Sequence, residues 1–153
     1  MDKNNRQTAF TLIELLIVIS VMALFSGLSL ASYNDFTETK KLEGETKKFV
    51  EVLELAKKKT LAGDKPCPTY TGSYRVSWTN TNYRLIPVGC PRQLSYDLTD
   101  VSILSVQAVI FKPFGLGVNA ARTIWIRNNN SLKCRQVTIE KSGNINEQKL
   151  ACP

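Results

Sequence analysis

Histidine is absent from all 153 residues. No His-assisted Ser, Cys or Thr nucleophile can form, nor an imidazole zinc site, nor a haem held by a proximal His. Acidic residues are scarce as well: 13 Asp plus Glu stand against 20 Lys plus Arg, a net charge of +7. Cysteine occurs only at positions 67, 90, 134 and 152. No two of these have C-x-x-C spacing, which speaks against a zinc ribbon or a thioredoxin-like redox site. Walker sequences, EF-hand loops and acidic metal clusters are also missing. No catalytic residue, metal or cofactor is therefore expected. Gly115, Gly117 and Ala120 spell G-x-G-x-x-A, with Glu140 20 residues beyond. A dinucleotide site would need a helix to start there. The segment leads instead into Thr123-Ile124-Trp125-Ile126, which reads as a strand. Asn129-Asn130-Ser131 is a formal glycosylation sequon of low specificity.

Charge is also nearly absent from one long stretch. Residues 12–31 carry a single ionisable side chain, Glu14. At about 1.5 Å per residue those 20 residues make roughly 30 Å of helix, the thickness of a bilayer core. Before them, residues 1–9 are polar and carry Lys3 and Arg6. The order inverts that of a secretory signal peptide, because the small residue Ala9 precedes the apolar run. A signal-peptidase cut after the run, near Ser26-Gly27-Leu28 or Ser29-Leu30-Ala31, is the weaker alternative. The positive-inside bias keeps the basic end in the cytoplasm and places the rest of the chain outside.

Glu14 is costly inside an apolar span unless it has a partner, or lies near enough to the interface to snorkel or stay protonated. The uncut run offers no cation. A cut between Ala9 and Phe10 would create one: a new amine four residues from Glu14. The carboxylate would then face its own amine, or neutralise that of a neighbouring copy and fix axial register as helices stack.

Residues 34–62 continue a helical pattern, with Asn34 and Asp35 as the places where it could be interrupted. Leu42, Phe49, Leu53 and Ala56 form one apolar stripe. Glu43 with Lys47 and Glu54 with Lys58 are i, i+4 pairs. Lys57-Lys58-Lys59 suits a solvated helix end better than a nucleic-acid or lipid patch, and Gly63 is the expected stop. Beyond Gly63, strand-like runs fall at residues 74–78, 83–88, 101–111, 123–127 and 135–140. Hairpin turns are expected at 79–82, 128–131 and 141–144. The expected fold class is α+β, with one long N-terminal helix whose amphipathic half packs on an antiparallel sheet. The chain divides into a leader (1–9), an apolar helix (10–33), an amphipathic half of the same helix (34–62) and a β-rich domain (63–153).

An external domain favours disulfides over reduced buried thiols. Three pairings of four cysteines are possible. Order and proximity favour Cys67–Cys90 and Cys134–Cys152, which close intervals of 23 and 18 residues.

The stretch Ala9-Phe10-Thr11-Leu12-Ile13-Glu14-Leu15-Leu16-Ile17-Val18-Ile19 resembles the cleavage region of type IV pilins and type II secretion pseudopilins. The resemblance implies a prepilin peptidase that cuts after Ala9 and methylates the amine of Phe10. It implies that Phe10 and Glu14 serve assembly with other pilin subunits on an inner-membrane platform. The protein would wait in the inner membrane, N-terminus in the cytoplasm, before joining a periplasmic or extracellular filament. One departure is Ala9, where the family usually has Gly. In filaments of this family the middle of the helix can melt. Gly27 between Ser26 and Ser29 would suit that, the alternative being an unbroken helix.

The segments 108–115, 123–126, 135–139 and 142–145 are similar to the domain of H-type pseudopilins and FimT-like minor pilins. Some of the latter bind DNA through a C-terminal Arg-bearing motif. The matching stretch here, Gly143-Asn144-Ile145-Asn146, has no Arg. DNA binding would then rest on bulk charge: removal of the leader takes two cations and one anion, leaving +6. Arg122, Arg127, Lys133 and Arg135 are the cations that could contact phosphates. The expected function is a structural pilin-like subunit. The alternatives are a DNA-binding minor pilin and a plain single-span membrane protein with an external domain.

Overall fold

The computed structural model describes residues 11–153, the side chains of 26–31 excepted. One helix, α1 (Leu12–Ala62), precedes eight strands. They are β1 (Tyr74–Trp78), β2 (Asn82–Pro87), β3 (Leu94–Asp97), β4 (Val101–Ile103), β5 (Gln107–Phe111), β6 (Arg122–Asn128), β7 (Cys134–Ile139) and β8 (Ile145–Leu150). The fold is α+β, with antiparallel pairing throughout. The chain falls into two compact units, Met1–Phe36 and Thr37–Pro153.

In the first unit, residues 12–25 of α1 are apolar on nearly every side. Of residues 12–25, eleven are large hydrophobics and all eleven are exposed. A helix apolar all round needs a membrane or other helices to cover it. That described stretch is about 21 Å long at 1.5 Å per residue. Among the described residues no helix is long and apolar enough to cross a membrane. The rest of the apolar run, 26–31, lies where side chains are not described. The backbone runs helical past Asn34 and Asp35 without interruption.

In the second unit the 37–62 half of α1 covers two four-stranded sheets. Their orders are β3-β2-β1-β5 and β4-β6-β7-β8. The stripe Leu42, Phe49, Leu53 and Ala56 is buried and joins one core with Val76, Trp78, Leu85 and Phe111 of the first sheet. Ile124, Ile126, Val137 and Ile139 of the second sheet complete it. Phe49 is its hub, meeting Trp78 edge-on at 5.7 Å and Tyr83 at 5.1 Å between ring centroids. α1 ends where Gly63 takes φ +65° and the Asp64 amide donates back to the Lys59 carbonyl, a Schellman closure. Lys59 pairs with Asp64 at 2.7 Å. Glu43 pairs with Lys47 at 3.1 Å, whereas the expected Glu54–Lys58 pair does not form. Disulfides join Cys67 to Cys90 and Cys134 to Cys152.

Three expectations need correction. The run 101–111 is two strands in different sheets, β4 and β5. Buried positions keep the same parity on both sides of the crossing (Val101, Ile103, then Val109, Phe111), and the alternation lapses only at 104–107, where Leu104 and Val106 are exposed and Ser105 and Gln107 hold the core parity. The remaining two are the edge strands β3 and β8, absent from the sequence reading. Their residues are largely exposed and polar, because an edge strand pairs on one side only and carries charge to blunt its free edge. The segment carrying Gly115 and Gly117 is a tight turn before β6. A Cβ on Gly117 would stand 2.1 Å from the Lys141 carbonyl oxygen, so the close packing of this turn on the β7–β8 hairpin requires glycine.

Candidate functional site

Ala9 and Phe10, the expected processing pair, lie outside the described residues. The site that can be described begins at Thr11. Its amide donates to the Glu14 carboxylate at 2.9 Å, and its hydroxyl does so at 2.8 Å. The Glu14 amide donates to Thr11 Oγ1 at 3.3 Å. This is a capping box, with Thr11 at the N-cap and Glu14 at the third helical position. The carboxylate is thus not idle in the single chain. It sits at the positive end of α1, where it accepts from the Thr11 amide, four residues along the chain from the amine that a cut after Ala9 would leave. Sequence reading saw the charge of Glu14 but not this local partner, although T-x-x-E before an apolar run is the signature of such a box.

The four cations considered for DNA are not brought together. Strand alternation puts Arg122 on the core side of β6, beside Ile124, and Arg127 on the opposite side. Arg122 Nε donates to the Ala108 carbonyl at 3.2 Å. Lys133 Nζ donates to Thr39 Oγ1 at 3.0 Å. Arg135 pairs with Glu147 and, at 3.7 Å, with Glu43. Arg127 Nε is buried without a partner. Three of the four are thus engaged by the chain itself.

A polar clamp at the start of the second unit was not foreseen. Asn128, fully buried, donates from Nδ2 to the Glu38 carbonyl at 3.2 Å and to its carboxylate at 2.9 Å. Its Oδ1 accepts from the amides of Asn130 and Ser131 at 2.9 and 2.8 Å. Lys41 reaches Asp100 at 3.0 Å and Glu38 at 2.9 Å. Hydrogen bonds from Asn128 first, then Lys41 and Asn130, pull the Glu38 carboxyl down to about 2. Lys40, then Lys47, do the same to Glu43. The clamp fixes α1 against the loops of the second sheet. The run of three Asn was its only signal, and it reads equally well as a plain turn.

A long apolar N-terminal helix followed by an antiparallel β domain defines the structural class. A family model of the prokaryotic N-terminal methylation motif matches residues 4–30. That motif covers the N-terminal segment alone, and it supports a pilin-like subunit. No curated protein and no solved structure matches the chain.

Proposed function

We propose that the protein is a structural subunit that polymerises into a type IV pilus or a type II secretion pseudopilus and has no catalytic residues of its own. The observation that carries this reading is the methylation motif over residues 4–30. A prepilin peptidase cuts after Ala9 and methylates the amine of Phe10. Residues 10–33 wait in the inner membrane and become the assembly helix; 34–62 seat the β-rich remainder, 63–153. An assembly platform extracts the helix, and packing against other helices replaces lipid. Glu14 guides this step: its carboxylate neutralises a neighbour's amine, so lateral packing and axial register are chosen together. The capping box supports the mechanism, because it holds the carboxylate at the helix end before a neighbour arrives.

Mass spectrometry of the protein from its native host tests the processing step. The expected N-terminus is methylated Phe10; an intact Met1 would leave a plain single-span protein and end the proposal. Glu14→Ala tests assembly: the variant should be cut normally yet fail to sediment with filaments. Normal incorporation of the variant would remove Glu14 from the mechanism. The DNA reading needs free cations, and Arg122, Lys133 and Arg135 hold partners within the chain, so the structural role is preferred.

A further inference from the structure

The outer face of the second sheet, turned away from the core, carries side chains that the pilin-like role does not use. Residues directly opposite in antiparallel strands share a face, so the register gives its layout. One row runs Trp125–Gln136–Gln148 across β6, β7 and β8. The next runs Thr123–Thr138–Asn146. Neighbours within a row stand about 5 Å apart, and the rows about 7 Å apart. Trp125 is half-buried; Gln148, Thr123 and Asn146 are exposed. The side chains of Trp125, Gln136, Gln148, Thr123 and Thr138 make no hydrogen bond among the described residues. An indole N–H, two amides and two hydroxyls therefore offer donors and acceptors in both senses around one partly exposed aromatic side chain. Neither row contains an ionised group; the charges bordering them are Arg127, in the row beyond Trp125, and Glu140, which accepts from Asn146 Nδ2 at 3.2 Å.

We infer that this face binds a neutral polysaccharide chain. A pyranose ring presents C–H groups on its faces and hydroxyls around its rim. The Trp125 plane suits the first, and the rim of Gln, Thr and Asn suits the second. An anionic polymer would gain nothing from two uncharged rows; it is better served by Arg75 and Arg84, unpaired on the outer face of the other sheet. An extended peptide would add to a strand edge, not lie across a face. The inference is independent of polymerisation, since it concerns one sheet of one chain.

Cellohexaose, chitohexaose and a neutral α-glucan oligomer are the probes, with dextran sulfate as the charged comparison. The full chain is kept in a detergent without a sugar headgroup. Trp78 is 1% exposed, so iodide quenching of tryptophan fluorescence reports Trp125. At least one neutral oligomer should protect the fluorescence and bind by calorimetry. Trp125→Ala should weaken that binding about ten-fold or more, as loss of a central aromatic anchor does, with Trp125→Phe close to wild type. Should Trp125→Ala misfold, the Gln136→Ala/Gln148→Ala double variant, altered only on the solvent face, gives the same readout. Arg75→Ala should change nothing. Binding of dextran sulfate alone, of no oligomer at all, or with equal strength by the Trp125 and Gln136/Gln148 variants overturns the inference.

Discussion

Phe49→Ala tests whether α1 and the sheets share one core. The side chain is fully buried and makes two edge-to-face aromatic contacts, at 5.7 Å with Trp78 and 5.1 Å with Tyr83. Removing a buried Phe costs about 3–5 kcal/mol, transfer and cavity terms together. Each aromatic pair contributes about 0.5–1.5 kcal/mol beyond its buried area, so the upper half of that range is expected here. Domains are stable by only about 5–15 kcal/mol, so the loss is a large share of the whole. With a urea slope of about 2 kcal/mol/M, the midpoint should fall by about 2 M. The assay is urea titration of the full chain in detergent, followed by near-ultraviolet dichroism, to which Trp78 and Tyr83 contribute. Phe49→Leu should recover more than half of the loss, and Lys58→Ala, on an exposed position, should do nothing. A shift under about 0.5 M for Phe49→Ala would mean that α1 is not held by this core and that the stripe on its 37–62 half has another purpose.

Gly44 lies inside α1 with nothing within 4 Å of an added Cβ, so Gly44→Ala should raise stability by about 0.5–1 kcal/mol in the same titration. The Cys134→Ser/Cys152→Ser pair opens an 18-residue loop and should cost about 3 kcal/mol. Hydrogen exchange should show lost protection in β8 first, with the 37–62 half of α1 keeping its own. The Glu38 carboxyl is held at about 2, below its ordinary value. Its stabilising contribution is therefore complete above the unfolded value near about 4.5 and is lost as pH falls from there through 2. Thermal midpoints between pH 5 and 2 should decline, and Asn128→Leu, which removes the largest cause of the shift, should flatten that decline. An unchanged acid limb in Asn128→Leu would show that the clamp does not govern it.

Much of the architecture was legible because it is written in local periods. The stripe Leu42, Phe49, Leu53, Ala56 follows a helical spacing, and the glycine at 63 ends the helix for a reason that needs no distant contact. β1, β2, β6 and β7 alternate apolar and polar residues because one face of each is buried. β3 and β8 were not legible, since each is held mainly by backbone pairing to one neighbour and, unlike the edge strands β4 and β5, has no fully buried residue. The crossing between β4 and β5 was hidden because the same two-residue period resumes, in the same parity, after a short lapse at 104–107. Glu14 stood out by its charge, while its bonds to Thr11 needed coordinates.

The sequence by itself determined the apolar N-terminal run with its single acid, the methylation motif, and the α+β class. Each depends on residues close together in the chain, where helix period, charge and turn chemistry act without knowledge of the fold. Only the tertiary structure decided that the strands form two sheets, that Asn128 ties Glu38 to a hairpin 90 residues away, and that Arg122, Lys133 and Arg135 turn to partners inside the chain. These are long-range pairings, and the free energy that selects them comes from burying one core. No stretch of sequence carries that information alone.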